Sequence, residues 1–521
     1  MSSFSLLKEK RFGPIFFTQF LGAFNDNVFK NALLIILTYK AVAESEAGLY
    51  ANLAAGLFIL PFFLFSPLAG QFCDKYEKSK LIRYVKMLEI VLMSIGALGF
   101  YLGNVNLLFV SLFLMGTQSA FFGPAKYSIL PQHLKEDELV AGNSLVEMGT
   151  FLAILTGTIL AGLIIKYVPS QIGVVTVAIA FLGYLTSCAI PKAPSTDPAL
   201  KIDWNLFRET IGLHKMCKKR RSVYLGVIGI SWFWFIGSII LVQLPSLTKY
   251  FLHGDETVVT LLLAVFSLSI GLGAYICERI SKDKIELGLV MLGSIGLSIF
   301  TIDIFCIDFD LAERSVVSIS EIFKADVPGF YRLLLDIMML GIFGSLYIVP
   351  LYALIQQKAE PKYRSRVIAY NNILNALFMV GSAIFCMAVF TLGSSVPAVF
   401  LMIGVANVFV AFYIFLLIPE FFLKLVFWLL TVTVYSVRYT GRDKIPEKGG
   451  CVVISNHVSF IDWAFIAAAA PRPMRFVMDY EYWKIKPFTY MFKAGKCIPI
   501  CTSRESQEIK EMAFQIGRAH V

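Results

Sequence analysis

The sequence predicts a mostly α membrane protein: a bundle of twelve spanning helices in two halves of six, followed by the start of a water-facing α/β domain. Three observations predict it. The chain is too apolar for a soluble globule, with 57% of its 521 residues hydrophobic, 16% charged and a mean hydropathy of +0.72, against roughly 25% charged in ordinary soluble domains. Twelve apolar runs follow one another before residue 420, each near the roughly 20 residues that a spanning helix needs. After that point, turn-rich sequence and short alternating strand and helix signals replace the long runs.

The runs lie near 14–38, 48–70, 82–103, 105–124, 143–166, 171–190, 223–248, 257–277, 285–306, 331–356, 366–390 and 396–419. The opening "MSSFSLLKEKRFGPIFF" is basic, but no small-residue cleavage site closes a short apolar core, so the first span is expected to be retained. Basic residues mark the cytoplasmic loops. Lys8, Lys10 and Arg11 precede the first run, Lys75, Lys78, Lys80, Arg83 and Lys86 surround the second loop, and Lys358, Lys362, Arg364 and Arg366 fill the tenth. The central loop 191–222 adds "KMCKKRR", whereas the loop near 307–330 is acidic, with Asp308, Asp310, Glu313, Glu321 and Asp326. Both termini are therefore expected in the cytoplasm. A net charge of +10 scattered in this way is topogenic, which sets nucleic acid aside as a partner. Nine cysteines, several inside apolar runs as at Cys188 and Cys386, give neither a paired framework nor metal-ligand spacing. They read as packing residues, with no metal and no cofactor expected in the chain.

The chain also repeats itself, as duplicated transporter folds do. "DKYEKSKL" from Asp74 follows the second run and "ERISKDKI" from Glu278 follows the eighth. "GPAKYSILPQ" from Gly123 and "VPLYALIQQ" from Val349 end the fourth and tenth, while Asn143 and Asn371 open the fifth and eleventh. The halves are 1–190 and 223–419, joined by the loop 191–222. Inside the first run, "LGAFNDNVFKNALL" places Asp26 and Lys30 four apart on one helix face, where they can pair, amid Asn25, Asn27 and Asn31. A charge at membrane depth costs at least about 2.5–3.5 kcal/mol, so such residues are functional by default. Asp26, Lys30 and the intramembrane Glu147 are the candidate transport-binding residues. The plainer alternative is an internal ion pair that fixes helix packing.

Beyond residue 420 the run Phe421–Tyr439 is short and interrupted by Lys424, so residues 420–440 read as an interfacial helix and linker. Residues 441–521 then read as a partial α/β domain: "CVVIS" a buried strand, "SFIDWAFIAAAA" a helix, and "MRFVMD", "EYWKIKPFTYMFKAG" and "KCIPI" a strand, helix and strand. His457 and Asp462 stand five apart, about 140° apart on an ideal helix, so they meet only if His457 lies in a loop and Asp462 in the first helical turn. Ser459 with Asp462 also makes an S-x-x-D capping box, which by itself accounts for the aspartate.

"GQFCDKYEKSK" at Gly70–Lys80 resembles the loop signature of the major facilitator superfamily, with Glu77 where a second glycine is usual. The resemblance implies a gating role for Gly70, Asp74 and Lys75 and, in the second half, for Glu278 and Arg279. "FTQFLGAFNDNVFKNALL", "FFGPAKYSILPQ" and "ERISKDKIELG" resemble the bacterial lysophospholipid transporter branch of that superfamily. "NHVSFIDW" is similar to the N-H-x-x-x-x-D signature of glycerolipid acyltransferases, and "GKCIPI" to their second block. Together these resemblances cover essentially residues 10–515. They imply a bacterial inner-membrane flippase that brings lysophospholipid, lysophosphatidylethanolamine above all, to the cytoplasmic leaflet, fused to an acyltransferase of the type that precedes an acyl-ACP synthetase. In that family the histidine, here His457, is the general base and the aspartate, here Asp462, orients it. The co-substrate is an acyl thioester, acyl-ACP or acyl-CoA, with acyl carrier protein as partner. The sequence stops about 20 residues after "KCIPI", before the family's F-P-E-G-type block, and "IGRAHV" does not continue the amphipathic "ESQEIKEMAFQ". A C-terminally truncated chain that transports without acylating is the expectation. An exporter of amphipathic drugs carrying a vestigial acyltransferase fragment is the alternative.

The charge pattern makes a topology prediction. Relative to the parent protein, Ser320→Cys gains labelling by an impermeant maleimide from outside intact spheroplasts, and Ser222→Cys does not. The reverse pattern overturns the orientation.

Overall fold

The protein is described here from a computed structural model that covers residues 3–40, 44–281, 285–308, 318–323, 329–435 and 511. It also covers 437–500 except 438–439, 442–443, 447–449, 457, 460, 471–473, 487–488, 490–491 and 494. The acidic-loop residues Asp310, Glu313 and Asp326 lie outside the described residues, as does most of the stretch after Ile500.

Six long helices build the first half: α1 (Gly13–Lys40), α2 (Glu44–Lys75), α3 (Lys78–Leu102), α4 (Val105–His133), α5 (Leu139–Tyr167) and α6 (Ile172–Cys188). A short helix α7 (Leu206–Lys219) sits in the central loop. The second half is built from α8 (Arg221–Phe251), α9 (Glu256–Ser281), α10 (Gly288–Phe305), the single turn α11 (Ile319–Ile322), α12 (Phe330–Lys358), α13 (Arg364–Thr391) and α14 (Val396–Leu417). Twelve of these are long and apolar enough to cross a membrane. Prolines inside α2, α4, α8 and α12 (Pro61, Pro67, Pro124, Pro131, Pro245 and Pro350) are tolerated. Neighbouring helices and side chains re-satisfy the backbone groups that a proline frees. Between α3 and α4 the chain turns at Gly103, whose φ of 61° needs glycine's freedom, and Asn104 then caps α4 by accepting from the Leu107 N–H at 3.1 Å.

The second span differs instructively from its expected limits. The apolar run ends at residue 70, but the spanning segment is Leu53–Lys75, because Gly70–Lys75 stays helical with Asp74 fully buried. The charge that ends a hydropathy window is here part of the packed interior.

Within the first half α1 packs against α5 and α6, α3 against α4 and α6, and α2 against α4. The apolar residues of α1 divide between two clusters: Phe29 and Leu33 meet Met93, Leu112 and Met115, while Val28 and Ala32 meet Ala161, Ile164 and Ile179. In the second half α12 packs against α8 and α9, and α13 against α8. The halves meet chiefly through α2 with α13 and α5 with α9. The sequence repeat pairs the second span with the eighth and the fifth with the eleventh, so each of these two contacts is the repeat image of the other.

The chain divides into two compact units, Met1–Ile285 with Gly293–Asn407, and Glu286–Leu292 with Val408–Val521. In the second unit α15 (Pro419–Thr433) is followed by α16 (Asp462–Ala469), β1 (Val477–Asp479), α17 (Tyr480–Trp483) and β2 (Ile498–Ile500). β1 and β2 pair in parallel, Val477 opposite Ile498 and Asp479 opposite Ile500. Phe427 and Trp463 meet edge to face at 4.6 Å and tie α15 to α16. Lys424, which interrupts the apolar run, is buried and pairs with Glu286 at 2.8 Å. One expectation is corrected here. "CVVIS" is not a buried strand: residues 451–456 lie outside the regular elements, and Val452 and Ile454 are exposed.

Candidate functional site

The site is built first from charges that a membrane interior does not tolerate alone. In α3, Lys86 and Glu89 lie three apart and pair at 2.6 Å with side chains 1% and 2% exposed. The Glu89 carboxylate also accepts from the Asn25 amide at 3.2 Å and the Gln118 amide at 3.0 Å. A β-carbon on Gly22 would stand 2.3 Å from Lys86 Nζ, so that glycine gives the ammonium its berth against α1. One helical turn further, Asp26 accepts from the Ser119 hydroxyl at 2.9 Å, and Ser119 also donates to the Gln118 carbonyl at 3.2 Å. Charges of α1 and α3 are therefore knitted into one network through neutral polar side chains of α4.

Asp26 and Lys30 do not form the expected pair. They share a helix face, yet no ion pair joins them; Lys30 Nζ stands over the Phe58 ring at 5.7 Å, and both residues are half-buried. The buried pair of this half is Lys86–Glu89, which the sequence reading missed by counting Lys86 among the loop charges. The available signal was a base and an acid three apart inside an apolar helix.

The second group of residues closes the end of the bundle where the basic loops lie. Asp74, fully buried, sits 3.0 Å from Arg366 Nε and accepts from the Ser365 N–H at 3.3 Å, so a carboxylate of the first half caps the N-terminus of α13 in the second. Thr196 and Asp197 in the central loop donate their backbone N–H groups to the Asp74 carbonyl at 3.0 and 2.8 Å, and the Asp197 carboxylate lies 3.6 Å from Arg366. Gly70 permits this closure: a β-carbon there would stand 2.7 Å from that of Ala369 and 2.9 Å from the Arg366 Cα. Lys75 is half-buried, its ammonium 5.7 Å from the centre of the Tyr76 ring. Deeper in the same closure, Asn143 and Gln356 exchange amide hydrogen bonds at 2.7 and 3.0 Å. Glu147 accepts from the Tyr127 hydroxyl at 2.7 Å, and Tyr127 stacks on Tyr352 with ring centroids 4.6 Å apart. Glu147 thus belongs to the closed end.

The counterparts of Asp74 and Lys75 in the second half, Glu278 and Arg279, are arranged differently. Glu278 is buried, and its Oε2 has no hydrogen-bond partner among the described residues. Arg279 donates to the Tyr275 hydroxyl at 2.9 Å on its own helix. The two copies of the motif share charge pattern but not bonding.

In the C-terminal unit, Asp462 begins α16, and its Oδ2 accepts from the N–H groups of Val458 at 2.6 Å and Ser459 at 2.8 Å. The carboxylate thereby folds the loop back onto the first helical turn. His457 lies outside the described residues, directly before the Val458 N–H that Asp462 holds. Burial pushes the Cys217 thiol up to about 12 and the Cys497 thiol up to about 11, so neither is a thiolate near neutral pH.

The family model described as Major Facilitator Superfamily matches residues 15–319, and the one described as Acyltransferase matches residues 436–518. The chain belongs to the major facilitator superfamily and carries a C-terminal acyltransferase domain. It is 26% identical over 410 residues to the lysophospholipid transporter LplT of Escherichia fergusonii, covering 77% of this chain and 94% of that protein. With LplT of Klebsiella pneumoniae it shares 25% identity over 398 residues, 75% of this chain and 91% of that protein. The human organic anion transporter MFSD10 superposes with a TM-score of 0.65 at 13% identity, covering 78% of this chain and 98% of that one. The proton:xylose symporter XylE superposes at 0.54, also at 13% identity, over 77% and 94%. At that identity the two solved structures speak to the fold alone.

The buried pair makes a stability prediction. Lys86→Met strands the Glu89 carboxylate and lowers unfolding stability by about 3–5 kcal/mol, whereas Lys86→Met combined with Glu89→Leu recovers most of it. Denaturant unfolding of the purified protein in detergent reads both; equal losses in the two variants reject the pairing.

Proposed function

We propose that this chain moves lysophospholipid, specifically lysophosphatidylethanolamine, from the outer to the inner leaflet of a bacterial inner membrane with both termini in the cytoplasm. Its C-terminal domain belongs to an acyltransferase that restores the missing chain from an acyl thioester, acyl-ACP or acyl-CoA. One observation carries the transport reading: Asp26 and Lys30, opposite charges one helical turn apart and half-buried, are not spent on each other. That arrangement suits a zwitterionic head group, Asp26 toward its ammonium and Lys30 toward its phosphate, with Phe58 beside the glycerol and acyl portion. The likeness to LplT over three quarters of the chain supports the same substrate class. Closure at the basic end is the state that loads from the opposite side in an alternating-access carrier. Opening that end would part Tyr127 from Tyr352 and expose the Tyr127–Glu147 pair on the delivery side.

For acyl transfer, His457 takes the proton of the acceptor hydroxyl as that oxygen attacks the thioester carbonyl. The C–S bond then breaks and the departing thiolate takes the proton back from the imidazolium as free thiol, while Asp462 holds both the loop and the imidazole's orientation. A neutral imidazole suits this work near neutral pH.

Two tests follow from this reading. Asp26→Asn keeps an oxygen for the Ser119 hydroxyl but loses the charge, so uptake of labelled lysophosphatidylethanolamine into spheroplasts is abolished while membrane abundance stays near normal. Full uptake removes Asp26 from the path, and lost abundance assigns it to packing. In the full-length fused form of the protein, His457→Ala lowers acyl transfer by about 10²–10⁴-fold. Asp462→Asn also impairs turnover severely although it retains a capping side chain. Near-normal turnover in Asp462→Asn would leave that residue a helix cap and nothing more.

A further inference from the structure

The central-loop helix α7 has two faces with different fates. One is docked on the bundle: Leu213 and Cys217 are 2% and 1% exposed, and His214 Nδ1 lies 2.7 Å from the Tyr370 hydroxyl of α13. The other is open and apolar along one edge, where Trp204, just before the helix, and Phe207 and Ile211 within it are 70%, 73% and 56% exposed. At about 100° per residue, Phe207, Ile211, Lys215 and Lys218 fall within about 80° of one another. The stretch Leu206–Arg221 holds six bases (Arg208, Lys215, Lys218, Lys219, Arg220 and Arg221) against one acid, Glu209, a net of 6 − 1 = +5. Arg208 is held by Asp203 and Arg220 by Glu360, whereas Lys215, Lys218 and Lys219 are exposed and have no ion pair among the described residues.

From this arrangement we infer that α7 is a membrane-surface helix whose open face lies in the head-group layer of an anionic phospholipid bilayer. The apolar edge enters the interface and the three free lysines meet lipid phosphates, the combination by which interfacial amphipathic helices bind anionic leaflets. Continuity argues for lipid as the occupant: α8, a spanning helix, begins at Arg221, two residues after α7 ends. Three large apolar side chains open together on that level have a bilayer beside them rather than bulk water. The inference does not depend on what the carrier transports. Its consequence for the gate is direct, because Tyr370, which α7 holds, stands one helical turn from Arg366, the partner of Asp74.

The test uses the full chain reconstituted in vesicles of phosphatidylcholine with phosphatidylglycerol. Trp204→Phe keeps an aromatic ring on Phe72, and the fluorescence difference between wild type and this variant isolates the Trp204 signal. That signal is expected to be quenched by lipids brominated on the acyl chain and protected from acrylamide. Brominated phosphatidylglycerol should quench it more than brominated phosphatidylcholine, and Lys215→Glu with Lys218→Glu and Lys219→Glu should abolish that difference. Strong acrylamide quenching without a bromolipid effect overturns the proposal, as does protection from both quenchers, which would place protein on the face. Equal quenching by the two lipids in the wild type overturns the anionic preference.

Discussion

The closed bundle depends on one buried carboxylate. Asp74 has no exposed surface, and an isolated charge there would cost several kcal/mol. Its two oxygens are satisfied by Arg366, the Ser365 N–H and the Thr196 hydroxyl, groups from the opposite half and from the loop that joins the halves. The ion can be buried only while these segments converge on it, so its desolvation is tied to closure. Separating α2 from α13 would hydrate Asp74 and Arg366 together, which lets the closed state be stable without being permanent. Gly70 belongs to the same constraint, since any side chain there would hold the two helices apart.

A second division runs through the charges of the first half. Lys86 and Glu89 are spent on each other within α3 and have almost no exposure, which is how a packed membrane interior accommodates ions. Asp26 and Lys30 lie beside that pair and remain half-buried, Asp26 accepting from the Ser119 hydroxyl and Lys30 standing over the Phe58 ring. The network through Gln118 and Ser119 fixes where Asp26 points without neutralising it. One set of charges holds three helices in register, and the other is joined to it only through the neutral side chains of Gln118 and Ser119.

The twelve spans were legible because apolar runs of bilayer length have few alternatives. The repeat was legible because its motifs recur in order. Limits were less legible wherever a charge is buried. Hydropathy stops at residue 70, and the count of basic residues groups Lys86 with the second loop although it falls in the run 82–103, whereas the structure keeps Asp74 and Lys86 helical and supplies each with a partner. Pairing is a tertiary fact, and helical spacing only proposes it: Asp26 and Lys30 have the spacing of a pair without forming one, while Lys86 and Glu89 form one at a spacing that drew no notice. In the C-terminal unit the strands in "MRFVMD" and "KCIPI" were legible, but "CVVIS" was not, because a β-branched run becomes a strand only when a neighbouring strand accepts it. Asp462 falls at the first residue of α16 rather than three residues into it as an S-x-x-D box would place it, although its carboxylate does meet the loop's backbone.

The repeat also shows why duplication of sequence does not duplicate the gate. Five residues before Asn371 stands Arg366, the base that Asp74 needs; five residues before Asn143 stands Glu138. An acid at that place cannot receive Glu278, so the repeat image of the Asp74–Arg366 pair is electrostatically forbidden. Glu138 turns instead to Arg11 at the N-terminal end of α1, bound through both carboxylate oxygens at 2.6 and 2.7 Å, and Glu278 keeps an oxygen without a partner among the described residues. The α2–α13 side is therefore closed by a direct ion pair between halves, and the α5–α9 side by packing and by the Asn143–Gln356 amide pair with α12.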